Sequence, residues 1–188
     1  MLVVLGGTRK VNKLPSEVIE LVGNYTIKDS EFLVGDAPGI DKAFQDLLYS
    51  RNEKKVQVFT SVDQARNNVG NWTVRRVDSG LKSKSHAMHS AKDREMTLLA
   101  DLGIMVWDTK SAGTLSNVMD LVSQGKECHL FNLLEGEHVK FDSDDSLNRY
   151  LISYHDVTSE ANKRLKQFKK RTGKRSKVSE NFAPGLFD

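Results

Sequence analysis

A chain of 188 residues, 38% hydrophobic and 28% charged, has the size and composition of one domain with a real core, or one domain plus a tail, and not of a disordered or fibrous protein. Its single cysteine, Cys128, excludes an internal disulfide framework and points to a reducing, cytoplasmic setting, and no stretch approaches the roughly 18 apolar residues of a membrane span. The net charge of +3 is unevenly spread: residues 158–188 carry nine Lys/Arg against three acids, which leaves the body slightly acidic and the tail basic.

Taken in chain order, the apolar run Leu2 to Leu5 stops at Gly6-Gly7 and reads as a buried parallel strand delivering a glycine turn. Pro15-Ser16-Glu17 opens a helix whose apolar face is Val18, Ile19, Leu21 and Val22. Glu31 to Val34 is a second strand, ending at Gly35-Asp36. Gly39 to Tyr49 is helical, with Ile40, Ala43, Phe44, Leu47 and Leu48 at helical spacing, and Val56 to Phe59 is a third strand. Thr60 to Ser83 is polar with weak periodicity, and a connection this long in a compact domain is usually functional or mobile. Helical spacing returns over 86–102 through Met88, Met96, Leu99 and Leu102. Ile104 to Trp107 is a fourth strand, Leu115 to Val122 the face of another helix closed by Gly125, and Cys128 to Leu134 a fifth strand. Beyond it come a short edge strand at 138–141, a short helix with Ser143 at its N-cap, and a basic amphipathic helix over 158–171.

Strand–helix alternation predicts an α/β fold: a Rossmann-like parallel sheet with helices on both faces, over residues 1–157, followed by a short C-terminal α (or α+β) extension over 158–188. In such sheets ligands bind beyond the carboxyl ends of the strands. There the sequence places Gly6-Gly7-Thr8-Arg9, then Gly35-Asp36-Ala37-Pro38-Gly39-Ile40-Asp41, then Asp108 with Ser111-Ala112-Gly113-Thr114. Glycines let the backbone approach a ligand, helix starts offer free N–H groups to anionic oxygen, and Arg9 is a permanent cation. Each turn alone has a plain reading as turn or cap chemistry; three on one sheet edge point to an anion site. Neither the glycine-rich dinucleotide fingerprint nor the P-loop pattern is present.

These residues, with the Lys92-Asp93-Arg94-Glu95-Met96 helix, the Trp107-Asp108-x-Lys110-Ser111-x-Gly113-Thr114-x-x-Asn117 loop and Gly125-Lys126, resemble the SLOG superfamily, the Rossmann-like nucleotide-binding fold shared by cytokinin-activating LOG hydrolases, DprA and YpsA-like proteins. The resemblance spans about residues 1–134. It implies a nucleotide-derived ligand with its phosphate on Gly113 and Thr114, its base or sugar against Gly6, Gly7 and Thr8, and Arg94 close to sugar or phosphate. It also suggests self-association into a homo-oligomer. LOG hydrolases carry a glutamate after the Gly-Thr loop; here Ser116 and Asn117 follow Leu115, and Asn117 is no general base.

The candidate ligand-binding residues are therefore Gly6, Gly7, Thr8, Arg9, Gly35, Asp36, Gly39, Asp41, Arg94, Trp107, Asp108, Ser111, Gly113, Thr114 and Asn117, with no cofactor and no metal expected. The expected function is binding of a nucleotide or nucleotide-derived molecule as a sensor or sequestering module. One alternative is a nucleotide N-glycosidase or phosphoribohydrolase using Glu95, Asp36 or Asp108 in place of the missing acid. Another is a DprA-like nucleic-acid-binding accessory protein using the basic tail. His86 and His89, three apart with Asp93 one turn on, are a weak metal pattern. Trp107 is either core or a wall for a stacked base, and Trp72 either a lid or a loop anchor.

Overall fold

The computed structural model describes residues 1–78, 86–154, 159–164, 166 and 167. Seven strands form one sheet in the order β4-β3-β2-β1-β5-β6-β7. They are β1 (Leu2–Gly7), β2 (Glu31–Gly35), β3 (Val56–Thr60), β4 (Thr73–Arg76), β5 (Leu102–Trp107), β6 (Glu127–Asn132) and β7 (Glu137–Phe141). All pairings are parallel except β6 with β7. The helices are α1 (Ser16–Ile27), α2 (Ile40–Ser50), α3 (His86–Leu99), α4 (Ala112–Ser123) and α5 (Asp144–Ser153).

The central strands are apolar on both faces because helices cover both. On one side Val3, Leu5, Phe32, Val34 and Ile104 pack against Val18 and Val22 of α1 and Phe44 and Leu48 of α2. On the other, Val4, Leu33 and Met105 pack against Met96 of α3, Leu115, Val118 and Leu121 of α4, and Leu147 and Tyr150 of α5. Residues 159–164 are helical, and Ala161 is buried in this second layer. Successive side chains of one strand feed opposite layers, so Val3 and Val4 belong to different cores. Phe44 is fully buried; its replacement by alanine costs about 3–5 kcal/mol.

The expected strands and helices over 1–60 and 102–153 are present, within a few residues at their ends. Two places differ. The polar stretch after β3 contains a strand, β4, which extends the sheet beyond β3. Its four residues are all exposed, so its sequence, Thr-Val-Arg-Arg, lacks the buried alternation that would have marked it. Helix α3 ends at Leu99 because Leu102 already pairs with Val3 as the first residue of β5. The expected helix over 158–171 and the basic tail lie largely outside the described residues.

Strand order reverses between β1 and β5. The chain leaves β1 toward β2 on one side and leaves β5 toward β6 on the other, and the crevice between these departing loops is where open α/β sheets hold ligands.

Candidate functional site

The turn after β1 is compact because its glycines allow it. A Cβ at Gly7 would collide with the Val106 carbonyl oxygen and lie 2.6 Å from Ile40 Cγ2, so no larger residue fits. Thr8 N–H donates to the Val106 carbonyl at 3.0 Å, and Ile40 N–H donates to the Thr8 carbonyl at 3.0 Å. Gly39, at φ 84°, passes directly over the Arg9 backbone, a conformation and an approach that both require glycine. The bends after β1 and β2 are thereby locked together.

The turn after β5 is tied to the same point. Thr8 Oγ1 donates to Asp108 Oδ2 at 2.7 Å. The other oxygen of Asp108 accepts from the N–H groups of Lys110 and Ser111 at 3.1 and 2.8 Å. Trp107 Nε1 donates to the Ser111 carbonyl at 2.9 Å. Ser111 caps α4 by accepting from Thr114 N–H, and Thr114 Oγ1 donates to Ser111 Oγ at 3.0 Å. Gly113, in the first turn, is exposed and faces open space: a Cβ there would meet nothing within 4 Å. The start of α4 carries the positive end of the helix dipole, and its exposed face at Gly113 is open.

On the same sheet face lies a buried charge cluster. Lys92, 2% exposed, reaches Asp93 at 3.0 Å and Asp36 and Asp41 at 3.9 Å each. Arg66 grips both oxygens of Asp36, through Nε at 3.0 Å and Nη2 at 2.6 Å, and Thr60 Oγ1 adds a bond at 2.9 Å. Burial alone pushes the Asp36 carboxyl up, but the bonds from Arg66, the Lys92 charge and the Thr60 hydroxyl overcome it and hold the group at about 2. Asp41 goes the other way. Burial raises it and neighbouring Asp93 adds to this; Lys92, Arg9 and the Ala37 N–H offset only part, and the carboxyl sits at about 6. Burial disfavours the Lys92 ammonium, yet Asp93, Asp41 and Asp36 outweigh it and raise its pKa.

The second bend is filled from within by charged side chains. A Cβ at Gly35 would collide with Asp41 Oδ2 and stand 2.6 Å from Lys92 Nζ. Its glycine makes room for an ion pair, not for a ligand. Asp36 is fully buried beneath Arg66, with Asn67 Nδ2 bonded to its carbonyl. Gln45 donates to the Gly35 carbonyl and accepts from Val69 N–H. Much of the polar stretch after β3 thus serves to clamp this turn. Trp72 donates Nε1 to the Glu53 carbonyl and packs beside α2, so it anchors the loop there rather than covering the crevice. Trp107 is fully buried and braces the turn after β5; it is core, not a stacking wall.

The structure brings together Gly6, Thr8, Arg9, Asp41, Asp108, Ser111, Gly113 and Thr114 around the β1–β5 crevice. Gly6 lines the α3–α4 side, where its Cβ position is 3.8 Å from Asp41 Oδ1 and 3.4 Å from Met105 Sδ. Asn117 is buried one turn into α4, and Arg94 is exposed on α3. Glu95 is ion-paired with Arg75 of β4. Among the three carboxylates with a possible catalytic role, Glu95, Asp36 and Asp108 are each engaged by a partner. Sequence reading did not identify Arg66 or Thr60 as site residues, since nothing local distinguishes them. Lys92 was detectable: it lies four residues before buried Met96 and so shares its core-facing stripe. The side chains of His86 and His89 lie outside the described residues, and among those described no group of three His, Cys, Asp or Glu is arranged for a metal. No helix among the described residues is long and apolar enough to cross a membrane.

Fold and crevice define a Rossmann-like α/β protein with its polar residues gathered at the carboxyl edge of a mostly parallel sheet. Among solved structures it is similar to DNA processing protein A (DprA) from Helicobacter pylori, described for its unique single-stranded DNA binding mode. The two share 17% identity and a TM-score of 0.55 over 89% of this chain and 81% of that one. At this identity the likeness speaks for the fold. No protein-family profile matches the chain, and no curated protein matches it in sequence.

Proposed function

We propose that this protein binds single-stranded nucleic acid by seating a backbone phosphate in the β1–β5 crevice, against the start of α4 and the Thr8–Arg9 turn. The observation that carries the reading is the open face at Gly113: the first turn of α4 is capped by Ser111 from within, and among the described residues nothing stands within 4 Å of where a Gly113 side chain would begin. Arg9, Lys10 and Lys13 in the loop after β1 and Lys110 in the loop after β5 are exposed, and none is ion-paired with a described residue. Several cations along one edge suit a chain of phosphates better than a single one. The fold shared with a protein that binds single-stranded DNA supports the same reading.

A second reading, a mononucleotide or nucleotide-derived ligand held by a sensor or sequestering module, rests on the same crevice and on the resemblance of its turns to the SLOG pattern. It differs in needing only one phosphate. Fluorescence anisotropy with a labelled oligodeoxythymidylate, run against a salt series, separates the two. Nucleic-acid binding predicts an affinity falling linearly on a log–log plot with salt and lost in Gly113→Glu, whose carboxylate would stand in the open space beside the first turn of α4. Stabilisation by nucleoside monophosphates without oligonucleotide binding favours the second reading. Unchanged oligonucleotide affinity in Gly113→Glu, with loss on removing residues 165–188, moves binding to the tail and refutes the crevice assignment.

A further inference from the structure

Beneath the crevice the charges do not balance. Among the described residues, Asp36, Asp41 and Asp93 face two firmly placed cations, Lys92 and Arg66, and Arg66 is committed to Asp36. Among the described residues Asp41 is the member without a bonded cation: its nearest is Lys92, at 3.9 Å. It is also the member closest to the crevice floor, beside Gly6. We propose that Asp41 is a proton-linked gate on the anion site: a phosphate entering the crevice is accompanied by uptake of one proton on Asp41. This rests on the crevice being the phosphate site.

The physical chain is short. An anion placed over Gly6 and the start of α4 adds a negative charge near a carboxylate already in excess. Like charge at short range through a poorly solvated interior disfavours ionisation. The cluster has no other member positioned to relax. Asp36 is pinned in its charged form by Arg66 and Thr60. Asp93 holds Lys92 at 3.0 Å and is partly exposed. Lys92 is buried against three carboxylates and stays charged. Among the described residues, the groups facing Asp41 are thus Lys92 and Asp93 from α3, Arg66 from the loop after β3, and Arg9 from the loop after β1, with Asp36 at the end of β2 sharing Lys92. Arg9 is exposed and not ion-paired with a described residue, and a bound phosphate draws it away from Asp41, which strengthens the same effect. Since Asp41 in the free protein titrates at about 6, its proton is gained or lost across the near-neutral range.

By linkage, binding that raises a carboxyl pKa is tighter at low pH. A rise of one unit from about 6 corresponds to about sevenfold tighter binding at pH 5.5 than at pH 8. The probe is an oligodeoxythymidylate with hydroxyl ends, because its phosphodiesters and thymines keep constant charge over that range. Calorimetry on the full chain, in buffers of different ionisation enthalpy at pH 6.5, reads proton uptake directly. The expected result is net uptake of up to one proton, with tightening toward pH 5.5. In Asp41→Asn, which keeps the shape of the neutral carboxyl, both should flatten. Should that variant fold poorly, carboxyl carbon NMR of the wild-type Asp41 side chain, with and without oligonucleotide, reads the same shift. Tight binding with no proton exchange overturns the gate and leaves the crevice intact. A pH dependence retained in Asp41→Asn also overturns it, assigning the proton to another group. No binding at either pH refutes the phosphate site and the gate together.

Discussion

Replacing Lys92 with methionine tests the buried cluster most severely. The side chain is 2% exposed and faces Asp93 at 3.0 Å and Asp36 and Asp41 at 3.9 Å. Methionine fills nearly the same volume, so the packing against Met96 and the sheet survives and the change is almost purely one of charge. Removing one partner of a buried ion pair typically costs about 3–5 kcal/mol, because the abandoned charge stays desolvated. Here the abandoned group of consequence is Asp41, since Asp36 retains Arg66 and Asp93 reaches water. The cost should therefore fall as Asp41 protonates: the loss is near the upper end at pH 8 and clearly smaller at pH 5. Adding Asp41→Asn should recover a large part of it, giving a coupling of more than about 1 kcal/mol in the double-mutant cycle. Urea unfolding of the four proteins at the two pH values measures every term. A Lys92→Met protein within 1 kcal/mol of wild type at pH 8 would refute the claim that the ammonium holds the cluster together.

Other outcomes follow from the same geometry. Asp41→Asn alone should stabilise the protein at pH 8. With Asp41 at about 6 against 3.8 unfolded, its contribution is fully present below pH 3.8 and lost as pH rises through 6, a span worth about 3 kcal/mol that urea midpoints across pH 3.5–8 would trace. Asp36 has the opposite sign: its carboxyl is held at about 2, so its contribution is present above pH 3.8 and lost as pH falls toward 2, roughly 2 kcal/mol that Asp36→Asn should forfeit near neutrality. Gly7→Ala should destabilise strongly or fail to fold, because its Cβ would run into backbone at Val106. Gly113→Ala should keep or raise stability, by up to about 1 kcal/mol of helix propensity, while leaving the cap intact. Equal melting temperatures for these two glycine variants would contradict the turn geometry.

The architecture was largely legible because its strands are buried on both faces and bounded by glycine or acidic turns. Runs such as Leu2–Leu5 and Ile104–Trp107 state their own role, and helices such as α2 carry a clear stripe. Strand β4 was hidden because an exposed edge of four residues needs no apolar pattern; only pairing with β3 defines it. At the site, the turns after β1 and β5 were readable from Gly6-Gly7-Thr8 and Ser111-x-Gly113-Thr114, since local chemistry dictates both. The turn after β2 was misread in character. Gly35-Asp36 looks like a receptor for an anion, but its glycine accommodates Lys92 and Asp41, and its aspartate binds Arg66 from thirty residues away. Such long-range pairings leave no local signature. Trp107 shows the same limit, since strand-end position alone does not separate a stacking wall from a buried brace.

Backbone amide NMR during titration with an unlabelled oligodeoxythymidylate probes the crevice itself. Saturable shifts concentrated at Thr8, Arg9, Gly113 and Thr114, weakening together as salt rises, are the result expected of a phosphate seated there. Saturable binding that leaves those four amides unmoved would contradict the assignment.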